Sequence, residues 1–176
     1  MAMDTTTTGE RPPALDWSTA NCQVERALGI VGQRASLVVL REVFNGVRRF
    51  DDMQRHAGLS RQVLSDRLAL LVEHDVLRRV PYQRAGERER HEYQLTEKGF
   101  DLYPFLVALA TWGARYYADP EGPAVEFRHR ECGEPVSAVL ECDAGHRLDD
   151  LRQVAARPGP GAQRVGTEGP AVGSGT

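Results

Sequence analysis

The amino-acid sequence predicts a mainly α-helical fold with a little β-structure: a winged helix-turn-helix domain followed by a small C-terminal β-hairpin extension. Three observations lead to this prediction. Two short helical patterns are joined by Gly58-Leu59-Ser60, two strand-like runs with alternating apolar residues follow, and an arginine-rich loop separates those runs. A helix, a tight turn, a second helix and a hairpin, in that order, build a unit that presents one helix to a DNA groove.

Apolar residues at helical spacing predict the helices that precede the hairpin. The first is expected at 22–31, the second at 36–44, and a third, short helix at 50–57. Gly58 can adopt the left-handed conformation that ends the third helix and turns the chain. Ser60 then caps a fourth helix, whose buried stripe is formed by Leu64, Leu68 and Leu71.

The second half of the domain is predicted from alternation and capping. Strands are expected at 76–82 and 91–95, with residues 83–90 between them as the wing. Thr96 is a suitable N-cap for a final helix, in which Pro104 should cause a kink or a new start because proline removes a hydrogen bond. This last helix carries two apolar stripes. One stripe can pack inside its own domain, so the second needs a partner.

Composition sets the expected organisation of the chain. The Thr- and Pro-rich stretch 1–14 has no periodicity and should be a flexible N-terminal arm. Residues 15–118 are the expected DNA-binding and dimerisation domain. An acidic extension at 119–156 should contain one hairpin with strands at 125–128 and 136–141, and the Gly- and Pro-rich tail at 157–176 should be disordered.

Charge is distributed unevenly along the chain, although the formal net charge is only −3. Residues 48–90 contain ten arginines and seven acidic residues, a net charge of +3. Residues 119–150 contain nine acidic residues and three arginines, a net charge of −6. A basic module beside an acidic one can keep a DNA-facing surface positive, and that surface decides contact with phosphate.

Several classes of protein are not expected. No apolar run reaches the ~18 residues of a membrane helix, and no charged-then-apolar signal opens the chain, so we expect a cytoplasmic protein with no membrane partner. Three cysteines argue against a disulfide framework. An enzyme is not expected, because the sequence has no Gly-rich phosphate loop and no nucleophile elbow, and its histidines show no spacing that pairs them with a nucleophile.

The fourth helix and the wing are the expected surface for double-stranded DNA. Gln62 is suited to read adenine, Asp66 can accept a hydrogen bond from cytosine, and Arg67 can reach a phosphate. The expected contacts are Ser60, Arg61, Gln62, Ser65, Asp66 and Arg67 on the helix and Arg84, Arg88 and Arg90 on the wing. In the alternative interpretation the wing arginines pair with glutamates in an exposed network. The winged helix is then a protein-interaction or sensor module without DNA binding.

Several phrases of the sequence match a known family in order and spacing. They are Cys22-Gln-Val-Glu-Arg-Ala-Leu-Gly-Ile-Val-Gly-Gln-Arg, Leu40-Arg-Glu-Val-Phe-Asn-Gly-Val-Arg-Arg-Phe, Leu64-Ser-Asp-Arg-Leu, Leu95-Thr-Glu-Lys-Gly and Trp112-Gly. Over roughly residues 20–117 the chain resembles the HxlR family of bacterial winged helix-turn-helix regulators, relatives of the MarR type. The resemblance implies a transcriptional regulator, expected to be a repressor, whose homodimer is formed by the first and last helices and binds an inverted-repeat operator. Arg34-Ala35 replaces the Lys-Trp pair that is usual in the family, which keeps a basic residue for DNA at Arg34.

Two further features bear on possible signals. Cys22 matches the cysteine that some family members use for redox sensing, and a helix N-terminus can raise the reactivity of a thiol. A small buried apolar role is the alternative for this residue. Aromatic residues of the last helix could line a pocket for a small-molecule effector or pack at the dimer interface: Tyr103, Phe105, Leu109, Trp112 and Tyr116.

The extension contains two possible pairs of metal ligands, His129-x2-Cys132 and Cys142-x3-His146. Tetrahedral zinc takes nitrogen and sulfur ligands, and a metal would stabilise a segment too small for a core. Gly145 stands where the second cysteine of a zinc ribbon would fall. We therefore expect a hairpin without metal, with zinc as the alternative, and no other cofactor.

Overall fold

The computed structural model of the chain describes residues 17–19, 21–83, 86 and 89–165. Two compact units are present. Leu28–Asp149 forms the larger unit, and the segments before and after it form the smaller one. Each unit is described by itself.

The larger unit contains the helices and the hairpin of a winged helix-turn-helix, which confirms the predicted fold class. The first three helices and both strands begin and end within two residues of the predicted bounds. In chain order they are α1 (Gln23–Val31, which begins in the smaller unit), α2 (Arg34–Phe44), α3 (Phe50–Ala57), α4 (Arg61–Glu73), β1 (Leu77–Tyr82), β2 (Arg90–Leu95), α5 (Glu97–Phe100) and α6 (Tyr103–Tyr117).

One hydrophobic core holds α2, α3, α4 and the base of the hairpin together. The predicted leucine stripe of α4 is confirmed, because Leu64, Leu68 and Leu71 are completely buried. Their partners in the core are Val39, Leu40 and Val43 of α2, Met53 of α3, and Val76, Leu77 and Leu95 at the base of the hairpin. Truncation of such a leucine typically costs about 2–5 kcal/mol, so one side of α4 is firmly anchored in the core.

The turns that were predicted from single residues have the expected geometry. Gly58 ends α3 with a φ of 62°, in the left-handed region. The Ser60 hydroxyl accepts a hydrogen bond from the Val63 N–H at 3.3 Å and so caps α4. Thr96 caps α5 in the same way, accepting from the Gly99 N–H at 3.0 Å. Pro104 lies in the first turn of α6, so the final helix restarts there, and the prediction of a break is confirmed.

The wing is an antiparallel hairpin with a short third segment at its edge. Leu77 lies opposite Leu95, and Tyr82 lies opposite Arg90. The segment before α3 joins the free edge of β2, since the Tyr93 N–H donates to the Arg48 carbonyl at 2.8 Å. This pairing brings the chain between α2 and α3 against the wing. The wing residues Arg84 and Arg88 lie outside the described residues.

The extension differs from the single hairpin that the sequence predicts. From residue 125 onward it contains two hairpin turns, one closed by a hydrogen bond from the Val136 N–H to the Phe127 carbonyl and the other by one from the Leu148 N–H to the Leu140 carbonyl. Gly133 and Gly145 reverse the chain with φ values of 76° and 79°. Because a second glycine permits a second reversal, the segment after 139 pairs with 146–148 and not with 125–128.

The smaller unit joins the two ends of the described chain. The Ser18 N–H donates to the Gln163 carbonyl at 2.7 Å, and the Asn21 side chain donates to the Gly161 carbonyl at 3.0 Å. These bonds join the start of the Gly- and Pro-rich tail to a segment that is remote in sequence.

Candidate nucleic-acid interface

The face of α4 that is opposite the leucines is polar and exposed. Arg61, Gln62, Ser65 and Asp66 are all exposed, and Arg67 is partly buried at the side of the helix. The helical period accounts for this exposure, because these residues lie on the side of α4 opposite the leucines that are packed in the core. The helix therefore offers a solvent-facing row of hydrogen-bonding groups at its N-terminal half.

Two residues of this row are bonded to each other. The Gln62 amide nitrogen donates to Asp66 Oδ1 at 2.8 Å, one helical turn away. An amide nitrogen carries two hydrogens, so Gln62 keeps one N–H and its carbonyl oxygen for an adenine edge. The bond restricts the orientation of the amide, which lowers the side-chain entropy that any further hydrogen bond to it would have to offset.

Side chains of α3, α4 and β2 meet beside the N-terminus of α4, and two of them are arginines. The Arg61 guanidinium lies 5.0 Å from the centre of the Phe50 ring, and Arg90 of β2 forms an ion pair with Asp51 at 3.1 Å. These four residues line one cavity of about 460 Å³ together with Tyr82, His91 and Tyr93. Two arginines against one aspartate leave the cavity lining positive, which suits a phosphate or a narrow groove.

Arg49, which the sequence analysis did not single out, contacts Tyr82 of this cavity lining. Its guanidinium lies 4.6 Å from the centre of the Tyr82 ring on the wing. The Arg48-Arg-Phe run was noted as a family phrase, but only the pairing of the preceding loop with β2 reveals that Arg49 lies against the wing. The only sequence feature that could have indicated this role is a basic residue beside a turn.

The remaining predicted contacts are spread over other parts of the surface. Arg34 is exposed at the first residue of α2, and Ser60 serves as the cap described above. Arg90 forms an ion pair with Asp51 of α3, whereas Glu87 of the wing lies outside the described residues.

The last helix keeps much of its apolar surface in solvent. Leu106 and Val107 are its buried residues among the described ones, whereas the second stripe is exposed. The exposed stripe consists of Phe105, Leu109, Trp112 and Tyr116, preceded by Tyr103. Trp112 packs against Tyr116 and Tyr117, with ring centres 5.7 and 5.1 Å apart. On α1, Leu28 is also exposed.

A family model of the HxlR-like helix-turn-helix matches residues 30–121. The chain belongs to this family. Uncharacterized HTH-type transcriptional regulators of Mycobacterium tuberculosis (Rv3095) and Mycobacterium bovis (Mb3122) are each 46% identical over 138 residues, which is 78% of this chain and 86% of theirs. The chain is thus a transcriptional regulator with a helix-turn-helix domain, and its family consists of regulators and not of enzymes.

Solved structures agree with this assignment. PA1607, a candidate transcription factor, superposes with a TM-score of 0.68 at 34% identity, covering 78% of this chain and 95% of its own. PA1374 of Pseudomonas aeruginosa, also a candidate transcription factor, has a TM-score of 0.55 at 34% identity over 81% and 95% of the two chains. No helix in the described part of this HxlR-like regulator is long and apolar enough to cross a membrane.

Most of the extension lies beyond the family match, and it brings its candidate ligands together only in pairs. His129 Nδ1 lies 3.1 Å from Cys132 Sγ, and Cys142 Sγ lies 3.6 Å from His146 Nδ1. Backbone N–H groups of His146 and Ala144 donate to the Cys142 sulfur and lower the pKa of this thiol. Among the described residues no three metal-ligating side chains are grouped, so the structure does not unite the two pairs in one tetrahedral site.

Cys22 lies directly before α1. Its thiol is half-buried and not part of a disulfide. The structure thus places this residue at a helix N-terminus, as the sequence predicted.

Proposed function

We propose that this HxlR-like regulator is a repressor that binds an inverted-repeat operator as a homodimer and responds to a small molecule. The observation that carries the proposal is the exposed polar face of α4, which the buried leucines hold outward. A helix anchored on one side and polar on the other can enter a major groove without losing its own packing.

In this proposal α4 reads bases and its surroundings bind phosphate. Gln62, oriented by Asp66, contacts an adenine, and Ser65 lies one turn along the same face. Arg61 and Arg90 neutralise phosphates at the edge of the groove, with Arg49 supporting the wing. Specificity then depends on the helix, whereas the affinity for any duplex depends on the arginines.

The exposed stripe of α6 supports the homodimer. Large aromatic side chains tend to carry interface energy, and a stripe containing Trp112 and Tyr116 offers more apolar area than an isolated surface residue does. We propose that it packs against the first helix of a second copy. A two-fold dimer presents two α4 helices and therefore binds two half-sites of opposite orientation. A dimer that covers its operator blocks polymerase at an overlapping promoter, which is the basis for proposing repression.

Footprinting on the DNA that flanks the protein's own gene tests this proposal. We expect a pseudo-palindromic site whose half-site centres are about 34 Å, or a multiple of that distance, apart. Affinity should fall steeply as salt rises, because arginines displace counterions from phosphates. A single asymmetric half-site at saturating protein would contradict the dimeric mode. Equal weak binding to every duplex would instead favour the interaction-module alternative.

Single substitutions test the division of labour between helix and wing. Gln62→Ala should mainly erode sequence preference, by about 1–3 kcal/mol at one base pair. Asp66→Ala should relax preference at that same base pair, since it frees the Gln62 amide. Arg88→Ala should weaken operator and random DNA equally, whereas Arg147→Ala in the extension is a control for lost charge. If Gln62→Ala and Arg88→Ala altered specificity equally, the division would be wrong.

A further inference from the structure

A second cavity lies between the helical core of the larger unit and the extension. Its volume is about 460 Å³, within the range of roughly 300–1,000 Å³ that is typical of small-molecule sites. Phe44 at the end of α2, Phe100 at the end of α5 and Tyr103 at the start of α6 form one wall, and Phe127 of the extension forms another. Part of this cavity is therefore built from residues beyond the family match.

The aromatic wall has area left for a ligand. Phe44 lies 4.7 Å from Tyr103 and 6.4 Å from Phe100, and Tyr103 meets Phe127 edge-on at 5.9 Å, all between ring centres. Despite these contacts Phe100 remains 60% exposed and Tyr103 39% exposed. A flat aromatic ring could cover this surface through edge-on and offset contacts, which are the arrangements that aromatic pairs favour.

The polar lining contains one arginine that is already hydrogen-bonded and two charged side chains that are not. The Arg128 guanidinium donates to Glu126 at 2.9 and 2.7 Å and to the Gly133 carbonyl at 3.0 Å. Arg130 and Glu131 also line the cavity, yet neither forms a hydrogen bond or an ion pair within the described part of the chain. The cavity thus offers, beside an aromatic wall, one cation and one anion that have no partner among the described residues.

We propose that this cavity binds a free aromatic α-amino acid. The ring would cover Phe44, Phe100 and Tyr103, the carboxylate would bind Arg130, and the ammonium group would bind Glu131. An aromatic acid or an aromatic amine would use only one of the two charges. A zwitterion has no net charge, so the acidic surroundings of the extension do not repel it.

The position of the cavity gives a route to the DNA-binding helix. Phe44 is the last residue of α2, and Leu40 and Val43 of the same helix share the core with Leu64 and Leu68 of α4. The role of the amino acid as an effector rests on the proposed function, whereas its binding does not.

Calorimetric titration of the full chain tests the class of ligand. L-tryptophan should bind with a dissociation constant between micromolar and low millimolar values. L-leucine, indole-3-propionate and tryptamine, which lack the ring, the ammonium group and the carboxylate respectively, should each bind about tenfold more weakly or worse. Failure of L-tryptophan to bind at about 5 mM, or binding of indole-3-propionate as tight as that of L-tryptophan, would overturn the proposal.

Variants assign the two charges. Arg130→Gln should weaken L-tryptophan about tenfold but leave tryptamine unchanged, and Glu131→Gln should weaken L-tryptophan but leave indole-3-propionate unchanged. Arg147→Gln and Glu141→Gln are matched controls in the same extension, and they should leave the affinity for each of these ligands unchanged. Equal losses in all four variants would contradict the assignment.

Ligand titration and operator binding, measured on the same protein, distinguish failure of the amino-acid site from failure of the proposed function. If the protein binds its operator but not L-tryptophan, the inference fails and the proposed function stands. If it binds L-tryptophan but shows no preference for any duplex, the proposed function fails and the binding site stands. A change of operator affinity on adding L-tryptophan, lost in Arg130→Gln, would support both.

Discussion

Truncation of Trp112 should weaken the proposed dimer by a calculable amount. Trp112 is 52% exposed, and since a tryptophan side chain buries up to about 250 Å², about 130 Å² remains for a partner. At ~25 cal/mol per Å², this area is worth about 3 kcal/mol per copy and ~6 kcal/mol per two-fold dimer. The retained methyl group and the neighbouring Tyr116 and Tyr117 reduce that upper limit. We expect Trp112→Ala to cost at least ~2 kcal/mol, a rise of about 30-fold or more in the dimer dissociation constant.

Sedimentation equilibrium over a range of protein concentrations measures this constant directly. Leu140→Ala is a matched control, because Leu140 is 53% exposed but belongs to the extension and not to α6. It should leave the dissociation constant unchanged, and circular dichroism should show that both variants keep their helices. Operator binding by Trp112→Ala should fail at low concentration and recover as concentration rises. A monomeric unmutated protein at about 100 µM, or an unchanged constant in Trp112→Ala, would refute the reasoning.

Three further predictions concern stability, pH and metal. Ser36→Ala should stabilise the protein by about 1 kcal/mol in urea unfolding, because the Ser36 hydroxyl is buried without a hydrogen-bond partner in the described residues; a loss of stability would contradict this. Backbone N–H groups lower the pKa of the Cys142 thiol, and Gly145→Ala should disturb them because a side chain at a φ of 79° would strain the turn. Alkylation of Cys142 should therefore begin at a lower pH in the unmutated chain than in Gly145→Ala, and coincident pH profiles would contradict this. Metal analysis of protein purified without chelators should find well below one zinc per chain, and near one zinc, lost on Cys132→Ser, would contradict the separated pairs.

Features that depend on neighbouring residues were predictable from the sequence. Gly58, Ser60 and Thr96 act through hydrogen bonds and dihedral angles within a few residues, so their types predict the turns and caps. The leucine stripe of α4 follows from the helical period, and the same period places Gln62 and Ser65 on the outer face. The family phrases could be recognised for the same reason, since they are local runs with regular spacing.

Features that join distant segments were not predictable in this way. Arg49 lies against the wing because the loop before α3 pairs with β2, more than forty residues later in the chain. The hydrogen bonds from Ser18 to Gln163 and from Asn21 to Gly161 join segments about 140 residues apart, and composition does not indicate such a pairing.

The sequence by itself determined that this chain builds a winged helix-turn-helix with one anchored and polar-faced helix, because periodicity, capping and turn chemistry are properties of short segments. Tertiary structure alone decided which charges meet. The ion pair of Arg90 with Asp51 in the cavity that Arg61 also lines depends on how remote elements pack. The same is true of Arg130 and Glu131, which lie beside an aromatic wall without partners among the described residues. Charge–charge energies vary with distance and solvent exposure, and neither quantity can be read from the order of the residues.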